Sequence, residues 1–459
     1  MRFFTKNFGK RLTATFSNVL LLLFIHNIYG QSQIAKLNET PVKSATVLID
    51  QTHPLTLAEA LELAEKQVSN FQQAKINEQI IEQDIIQAKK SFYPKATANI
   101  GLIYTSPSLS NATIPRPPSF LGANAITEYQ SLVGISGEFD TSGKLKATLK
   151  RNQLLLESAK AGTAIERLNL RQAVADTYFN LALATARRRS AEGNLATAVE
   201  FEKYIKLQLE AGEIASVDLV RAGLQTSMRR DELEQNKALE SVAMDGLRVL
   251  TSTDVTQILT TVDLLTQMPN NTEIETYASL AIQTRPEFAQ FEASLRVAEQ
   301  ELTLAKAERK PQITYSVSGG AITDSPLRIK NNLGVQATVG VTIPLFDWGQ
   351  SKSRETQAKL KMQQTENARK LAERQLFQQF NSNRTLAISA RSRIKEIAQS
   401  ITNAEKNVAA STARYQAGEA AIIEITDAQN TLITQRFALY QAIFDYQTAR
   451  SRLLNIIGK

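Results

Sequence analysis

The sequence predicts a mainly α chain that carries a transmembrane β-barrel part and is built twice over. Three observations carry that prediction. Across residues 333–343, Leu333, Val335, Ala337, Val339, Val341 and Ile343 alternate with Gly334, Gln336, Thr338, Gly340 and Thr342. A period of two over about ten residues is a strand with one apolar and one small, polar face, the pattern that a strand in lipid uses. A half-buried strand of a soluble sheet alternates in the same way, so the rest of the chain has to decide. Second, two helical stretches of about seventy residues, each about 105 Å long at 1.5 Å per residue, exceed what any globular core needs. Third, landmarks recur at constant spacing: Phe139-Asp140 and Phe346-Asp347 lie 207 residues apart, Ala211-Gly212 and Ala417-Gly418 lie 206 apart.

Composition narrows the class. The 459 residues include only 12 prolines and 19 glycines, which favours long helices, and no cysteine, which removes disulfides, thiolate chemistry and a lipidated cysteine. Arg2, Lys6, Lys10 and Arg11 precede an apolar core at 19–25, and Gly30 offers a small residue before Gln31. Residues 1–30 therefore read as a secretory signal peptide, too short for a stable membrane span. No other run approaches the roughly 18 apolar residues of a transmembrane helix, so entry into a membrane would be by strands. The formal charge of +8 falls to about +4 once the four basic residues of 1–30 are removed. Arg187-Arg188-Arg189 is the one basic run, and it suits a solvated helical turn rather than a nucleic-acid groove.

The elements follow in order. Residues 31–54 are polar, contain Pro41 and Pro54, and read as a flexible mature N-terminus. The first structural repeat spans 55–250. Thr56 and Glu59 form a capping-box pattern ahead of one helix carrying Leu57, Leu61, Ala64, Phe71, Ile80 and Ala88, which must stop before Pro94. Strands are expected near 96–105 and 131–139, with a Ser-, Pro- and Asn-rich loop between them. A long helix then runs from Asp140 to Ala211, Gly212 ends it as a left-handed C′ residue, and a shorter helix returns near 217–250. Residues 251–282 form a connecting or equatorial segment. The second repeat, 283–457, restates the plan: a helix from Arg285-Pro286-Glu287 that stops before Pro311, strands near 312–320 and 333–343, a long helix from Asp347 to Ala417, the Gly418 turn, and a last helix from Ile422. The repeats differ in length between their strands, where insertion is least disruptive. This is one structural unit duplicated.

Four strands cannot close a barrel, and an open sheet in lipid leaves edge groups unsatisfied at several kcal/mol each. Copies of the chain must therefore share one barrel. Two copies would make eight strands and a filled interior; three would make twelve and an aqueous lumen, which suits the polar face of residues 334–342.

At this point the chain resembles the TolC-type outer-membrane efflux and secretion proteins over about residues 55–457. The resemblance rests on the doubled helix–hairpin–long helix–glycine turn–helix plan, on Leu57-x-Glu59-Ala60-Leu61, Arg285-Pro286-Glu287, Tyr93-Pro94 and Pro311, and most sharply on Tyr415-Gln416-Ala417-Gly418 leading into Glu424-Ile425-Thr426-Asp427-Ala428. It implies a homotrimer in the outer membrane of a Gram-negative bacterium. Four strands per chain would enter a shared twelve-stranded barrel, and an α-helical tunnel would reach into the periplasm. Such a protein is the exit duct of a tripartite efflux pump or type I secretion system. It is gated at the periplasmic helix tip made by the Gly212 and Gly418 turns, and it works with a periplasmic adaptor (membrane fusion) protein and an inner-membrane pump of RND, ABC or MFS type.

The resemblance also implies site residues. Glu424 and Asp427, three apart on one helix face, fall where relatives place inward carboxylates; threefold symmetry would make two acidic rings able to hold cations. The alternative is that both merely suit the helix's first turn. Tyr415 would meet Asp218 as a gate latch between the repeats, or would simply pack between helices; Ala420 stands where a relative carries a second, basic latch residue. Phe139, Phe346 and Trp348 fall at the expected membrane interface, where amphipathic rings are favoured, or serve a strand–helix joint.

Two other functional classes fit the sequence less well. The sole histidines, His26 and His53, lie in the signal peptide and the N-terminal stretch, and no phosphate loop, nucleophile elbow or HExxH motif occurs, so neither an enzyme nor a cofactor or metal site is expected. A periplasmic coiled-coil adaptor or scaffold without a pore would explain the helices but not two hairpins with lipid-type alternation.

Overall fold

In a computed structural model of the chain, the described residues are 54–104, 127–254, 259–263, 269, 273–277, 279–324 and 332–458. The expected signal peptide, residues 31–53 of the N-terminal stretch and most of both strand-connecting loops lie outside them. The chain divides into two compact units, and the larger, residues 51–251 and 258–459, holds all the helices and strands described.

Helix α1 (Leu57–Lys66) starts on the expected capping box: the Glu59 amide donates to Thr56 Oγ1 at 3.3 Å and the Thr56 amide donates to Glu59 Oε2 at 2.8 Å. It does not continue to Ala88 as one helix. Gln67 turns extended (φ −91, ψ 165), and α2 (Asn70–Lys90) begins anew with Ser69 as its N-cap. Two bonds fix this break: Ser69 Oγ accepts from the Gln72 amide, and Gln72 Nε2 donates to the Glu65 carbonyl at 2.6 Å, satisfying a C-terminal carbonyl of α1.

The strands β1 (Lys95–Tyr104), β2 (Thr127–Phe139), β3 (Gln312–Thr323) and β4 (Leu333–Thr342) form one antiparallel sheet in that order. The two hairpins, more than 170 residues apart in sequence, are thus joined through β2 and β3. Strands β2 and β3 are longer than expected because their polar ends still find partners, Thr127 opposite Tyr104 and Tyr129 opposite Thr323. Strand β4 stops at Thr342, one residue short of the expected end and two before Pro344, which has no amide to donate. The register aligns the alternation across the sheet: Ala98, Val133, Gly319 and Val335 sit side by side, as do Ala96, Ile135, Val317 and Ala337. One face is therefore apolar from edge to edge, and the other carries Thr97, Ser136, Thr314, Gln336 and Thr338. Gly137 leaves room for the Tyr315 ring, whose Oη would lie 2.5 Å from a Cβ there and which packs on Phe139 with centroids 4.5 Å apart.

Two 67-residue helices, α3 (Lys144–Glu210) and α6 (Gln350–Gln416), dominate the chain. At 1.5 Å per residue each is about 100 Å long. Both start on a glycine in the left-handed region, Gly143 and Gly349, which has no side chain with which to cap. An aspartate at the end of the preceding strand segment does so instead: Asp140 Oδ1 accepts from the Leu145 amide at 2.9 Å, and Asp347 Oδ2 from the Ser351 amide at 2.8 Å.

Helices α4 (Ser216–Thr251), α5 (Pro286–Ala307) and α7 (Ile422–Ile456) complete the set. Along α3, Asn152 and Arg167 bond to Asp84 and Glu65 of the α1–α2 pair, while Arg188 and Thr226 tie its far half to α4 through Glu240 and the Ala198 carbonyl. Helix α6 is lined in the same way, by α5 through Arg354–Glu308 and Lys361–Glu301 and then by α7 through Arg393–Asp445 and Arg436–Glu405. Short helices in succession thus match one long helix in each repeat. The repeats meet because α3 also packs against α5 and α7, as in Ser158–Ser294 and Arg452–Asp176.

The largest core lies where these contacts converge, around the fully buried Ile443, Tyr446, Leu453 and Ala387. The segment between α4 and α5 contributes to it. Ile274 and Ile282 are buried there, and Glu273 takes a bidentate pair from Arg450 at 2.6 and 2.7 Å while also accepting from Tyr277 Oη.

Candidate functional site: the helix tip and the sheet faces

Both long helices end, away from the sheet, in the same backbone motif. Gly212 (φ 75) and Gly418 (φ 74) are left-handed. The Gly212 amide donates to Leu209 O and the Glu213 amide to Gln208 O; Gly418 and Glu419 repeat this toward Tyr415 O and Arg414 O. These are paired Schellman turns, in which the glycine satisfies carbonyls that would otherwise be orphaned. They reverse the chain tightly and place the starts of α4 and α7 beside the ends of α3 and α6.

A small apolar cluster holds the four helix ends together. Ile205, Ala222, Tyr415, Ile422 and Ile425 are buried in it, with Ala420 packed against them. Ala420, which lacks the basic side chain that the resemblance associates with this position, is a packing residue. Tyr415 is inside the cluster, and its hydroxyl is buried without a hydrogen-bond partner. The expected bond to Asp218 is not formed in this arrangement. Asp218 lies near enough to act electrostatically: burial first, and then the Asp218 and Tyr204 charges, push the Tyr415 phenol above its ordinary range. The nearest cation to Asp218 is Arg221 at 4.0 Å, on its own helix.

Near the tip, a polar link between the repeats sits higher on the helices, at residues the sequence reading missed. Asn430 Oδ1 accepts from Gln225 Nε2 at 3.2 Å and also from Arg229, which is itself paired to Glu232 at 2.6 Å. Glu424 and Asp427 lie one turn apart at the start of α7, as expected. Glu424 is not free, since Arg414 Nη1 lies 2.9 Å from its Oε2 across the Gly418 turn. That pair had a sequence signal: a cation in the last turn of one helix and an acid in the first turn of the next flank a short reverse turn. Asn430 had none, because its partners lie about 200 residues away in sequence.

At the sheet, the apolar face is open in a single copy: Ile100, Val335 and Val339 are 86%, 80% and 70% exposed. Phe139, Phe346 and Trp348 are exposed where strands pass into helices, and the last two rings stack edge to face at 4.8 Å. Strands β1 and β4 are the two unpaired edges of the sheet. Among the described residues, no helix is long and apolar enough to cross a membrane, and no three His, Cys, Asp or Glu side chains are grouped to hold a metal ion.

Comparison with known proteins agrees with this architecture. The profile of the outer membrane efflux protein family matches residues 60–252 and 277–459. The chain is 22% identical over 327 residues to the cobalt-zinc-cadmium resistance protein CzcC of Cupriavidus metallidurans, covering 70% of this chain and 75% of that one. It is 21% identical over 311 residues to the pyoverdine export outer membrane protein OpmQ of Pseudomonas putida, covering 67% and 65%. Its fold matches the Campylobacter jejuni CmeC outer membrane channel with a TM-score of 0.76 at 16% identity, over 88% of this chain and 85% of that one. The open state of the Neisseria gonorrhoeae MtrE outer membrane channel gives 0.73 at 18%, over 88% of each. A duplicated chain, a sheet with one apolar face, long helices and a profile match over most of its length lead to one conclusion: the protein belongs to the outer membrane efflux protein family.

Proposed function

We propose that this protein is the trimeric exit duct of a tripartite efflux pump or type I secretion system, a passive conduit gated at the Gly212 and Gly418 tip. The observation that carries the reading is the sheet, with an apolar face exposed from edge to edge and two unpaired edge strands. Pairing β4 of one copy with β1 of the next satisfies both edges and turns the apolar face toward lipid. The same pairing brings α6 of one copy beside α2 and α4 of its neighbour, since α2 leads into β1 and α6 follows β4. Both flanks carry exposed apolar side chains to cover, Leu360, Leu371 and Leu386 on α6 and Ile80, Val220 and Leu224 on the other side. Phe139, Phe346 and Trp348 then sit at the periplasmic interface.

In this reading residues 55–250 and 283–457 are the two structural repeats, 251–282 is the equatorial connector, and 1–30 is removed on export. An adaptor and an inner-membrane pump engage the tip. Glu424 and Asp427 form the acidic lining of the constriction, and Tyr415 with Asp218 is a bond made in some gate states and not in others. A pore-less periplasmic adaptor leaves the apolar sheet face without a function.

Fractionation tests the proposal. The processed chain is expected in the outer membrane as a detergent-resistant trimer, and a soluble periplasmic pool would overturn it. Within that frame, replacing Glu424 and Asp427 together by alanine should abolish block of conductance by a multivalent cation; unchanged block removes the acidic lining from the account.

A further inference from the structure

We infer that Arg414 sets the charge of the tip by cancelling Glu424, so that Asp427 is the carboxylate a passing cation meets. This rests on the proposal that the starts of α7 line the constriction, and it adds the residue that determines how acidic that lining is.

The ion pair is built by the turn. Arg414 stands in the last turn of α6, where the helix dipole favours a cation, and Glu424 in the first turn of α7, where it favours an anion. The Schellman bonds at Gly418 fix the reversal between them, and the guanidinium bridges it, with Nη1 2.9 Å from Glu424 Oε2 and Nη2 3.5 Å from the Glu419 carbonyl. Asp427, one turn further along α7, makes no ion pair among the described residues.

The duplication supplies an internal comparison. At the matching place in the first repeat, 206 residues earlier, Gln208 replaces Arg414 and bonds within its own helix to Tyr204 Oη at 2.7 Å. Asp218 replaces Glu424 and has no cation across the turn, and Arg221 replaces Asp427. The two turns share their backbone and differ in charge. Cross-turn neutralisation is thus confined to the repeat that carries two acids at the start of its return helix.

Both partners are about half exposed, so the bridge adds little to folding. Its charge still counts, because three copies around an axis sum their fields at the centre. Removing Arg414 would release three carboxylates there.

The test is block of single-channel conductance in planar bilayers by trivalent lanthanum added on the tip side. Arg414→Gln is expected to lower the half-blocking concentration by about tenfold, an effect that shrinks in roughly 1 M salt. Arg414→Lys should stay near the original value. Glu424→Gln, which leaves Arg414 unopposed, should raise it, and the double substitution Arg414→Gln with Glu424→Gln should return it to within about twofold. Asp427→Asn should abolish block. If Asp427→Asn abolishes block while Arg414→Gln changes nothing, the role of Arg414 is wrong and the acidic lining stands. If Asp427→Asn leaves block intact, the lining itself is wrong and this inference falls with it. Should Arg414→Gln fail to assemble, the unchanged value expected of Arg414→Lys against the rise expected of Glu424→Gln decides the matter, and equal values for the two overturn the role of Arg414.

Discussion

Val339 and Thr338 are neighbours near the middle of β4 that point to opposite faces of the sheet, and they allow the lipid assignment to be tested by a single shift of position. Val339 is 70% exposed in one copy and stands opposite Tyr315, on the apolar face. Thr338 stands opposite Ser316, on the polar face. In the proposed barrel, arginine at Val339 would put a guanidinium in the hydrocarbon layer, at a cost of about 2–4 kcal/mol per chain near its midplane, whereas the same residue at Thr338 would face the water-filled lumen and alter selectivity rather than stability. A cost of about 2–4 kcal/mol lowers the folding equilibrium constant of each strand set by about thirtyfold to several hundredfold, and each copy in the proposed trimer would bear it. The assay is the yield of detergent-resistant oligomer in the outer membrane, with urea unfolding in lipid vesicles as the equilibrium measurement. Val339→Arg should lose most of the assembled protein and Thr338→Arg little. Equal losses, or the reverse order, would refute the assignment of faces.

Three further outcomes are expected. Gly418→Ala should destabilise the tip by about 1–2 kcal/mol, because φ 74 is a left-handed conformation that a Cβ resists, and hydrogen exchange of the Glu419 amide should accelerate; unchanged protection would argue against the Schellman turn. Asn430→Leu removes both bonds from α4 and should raise basal conductance by several-fold, about 1 kcal/mol in the closed state, while conductance at the original level would deny Asn430 a part in holding the repeats together. The third concerns acid. The Arg450 hydrogen bonds hold the Glu273 carboxyl below its ordinary range, with burial opposing and Tyr277 assisting. A depressed folded-state value stabilises fully above the unfolded carboxyl's pKa of about 4.3 and is lost as the pH falls through the lower, folded value. Arg450→Met should therefore cost about 1–3 kcal/mol at neutral pH by urea unfolding and converge with the original protein in strong acid; a pH-independent difference would show that packing alone is responsible.

Much of this fold was legible because its signals are local and repeated. The alternation of 333–343, the proline stops at Pro94 and Pro311 and the glycine turns at Gly212 and Gly418 each reflect backbone chemistry within a few residues. The break between α1 and α2 escaped because no glycine or proline marks it. Its signal, Ser69 three residues before Gln72, is a second capping pattern inside a run that otherwise reads as helix. The polar ends of β2 and β3 became strand only through cross-strand partners. The same holds at the tip. The family resemblance implied that Tyr415 and Asp218 meet, but whether a phenol bonds a carboxylate depends on how the repeats lean together. Arg414–Glu424, closed within one turn, is the kind of contact a sequence can show; Asn430 with Arg229 and Gln225 is not.

In the proposed trimer, three copies of this chain close one barrel from four strands each. The most direct measurement is the native mass of the protein extracted from the outer membrane in mild detergent. A particle of three chain masses that conducts ions when placed in a bilayer is expected. A monomer or an even-numbered assembly would contradict it.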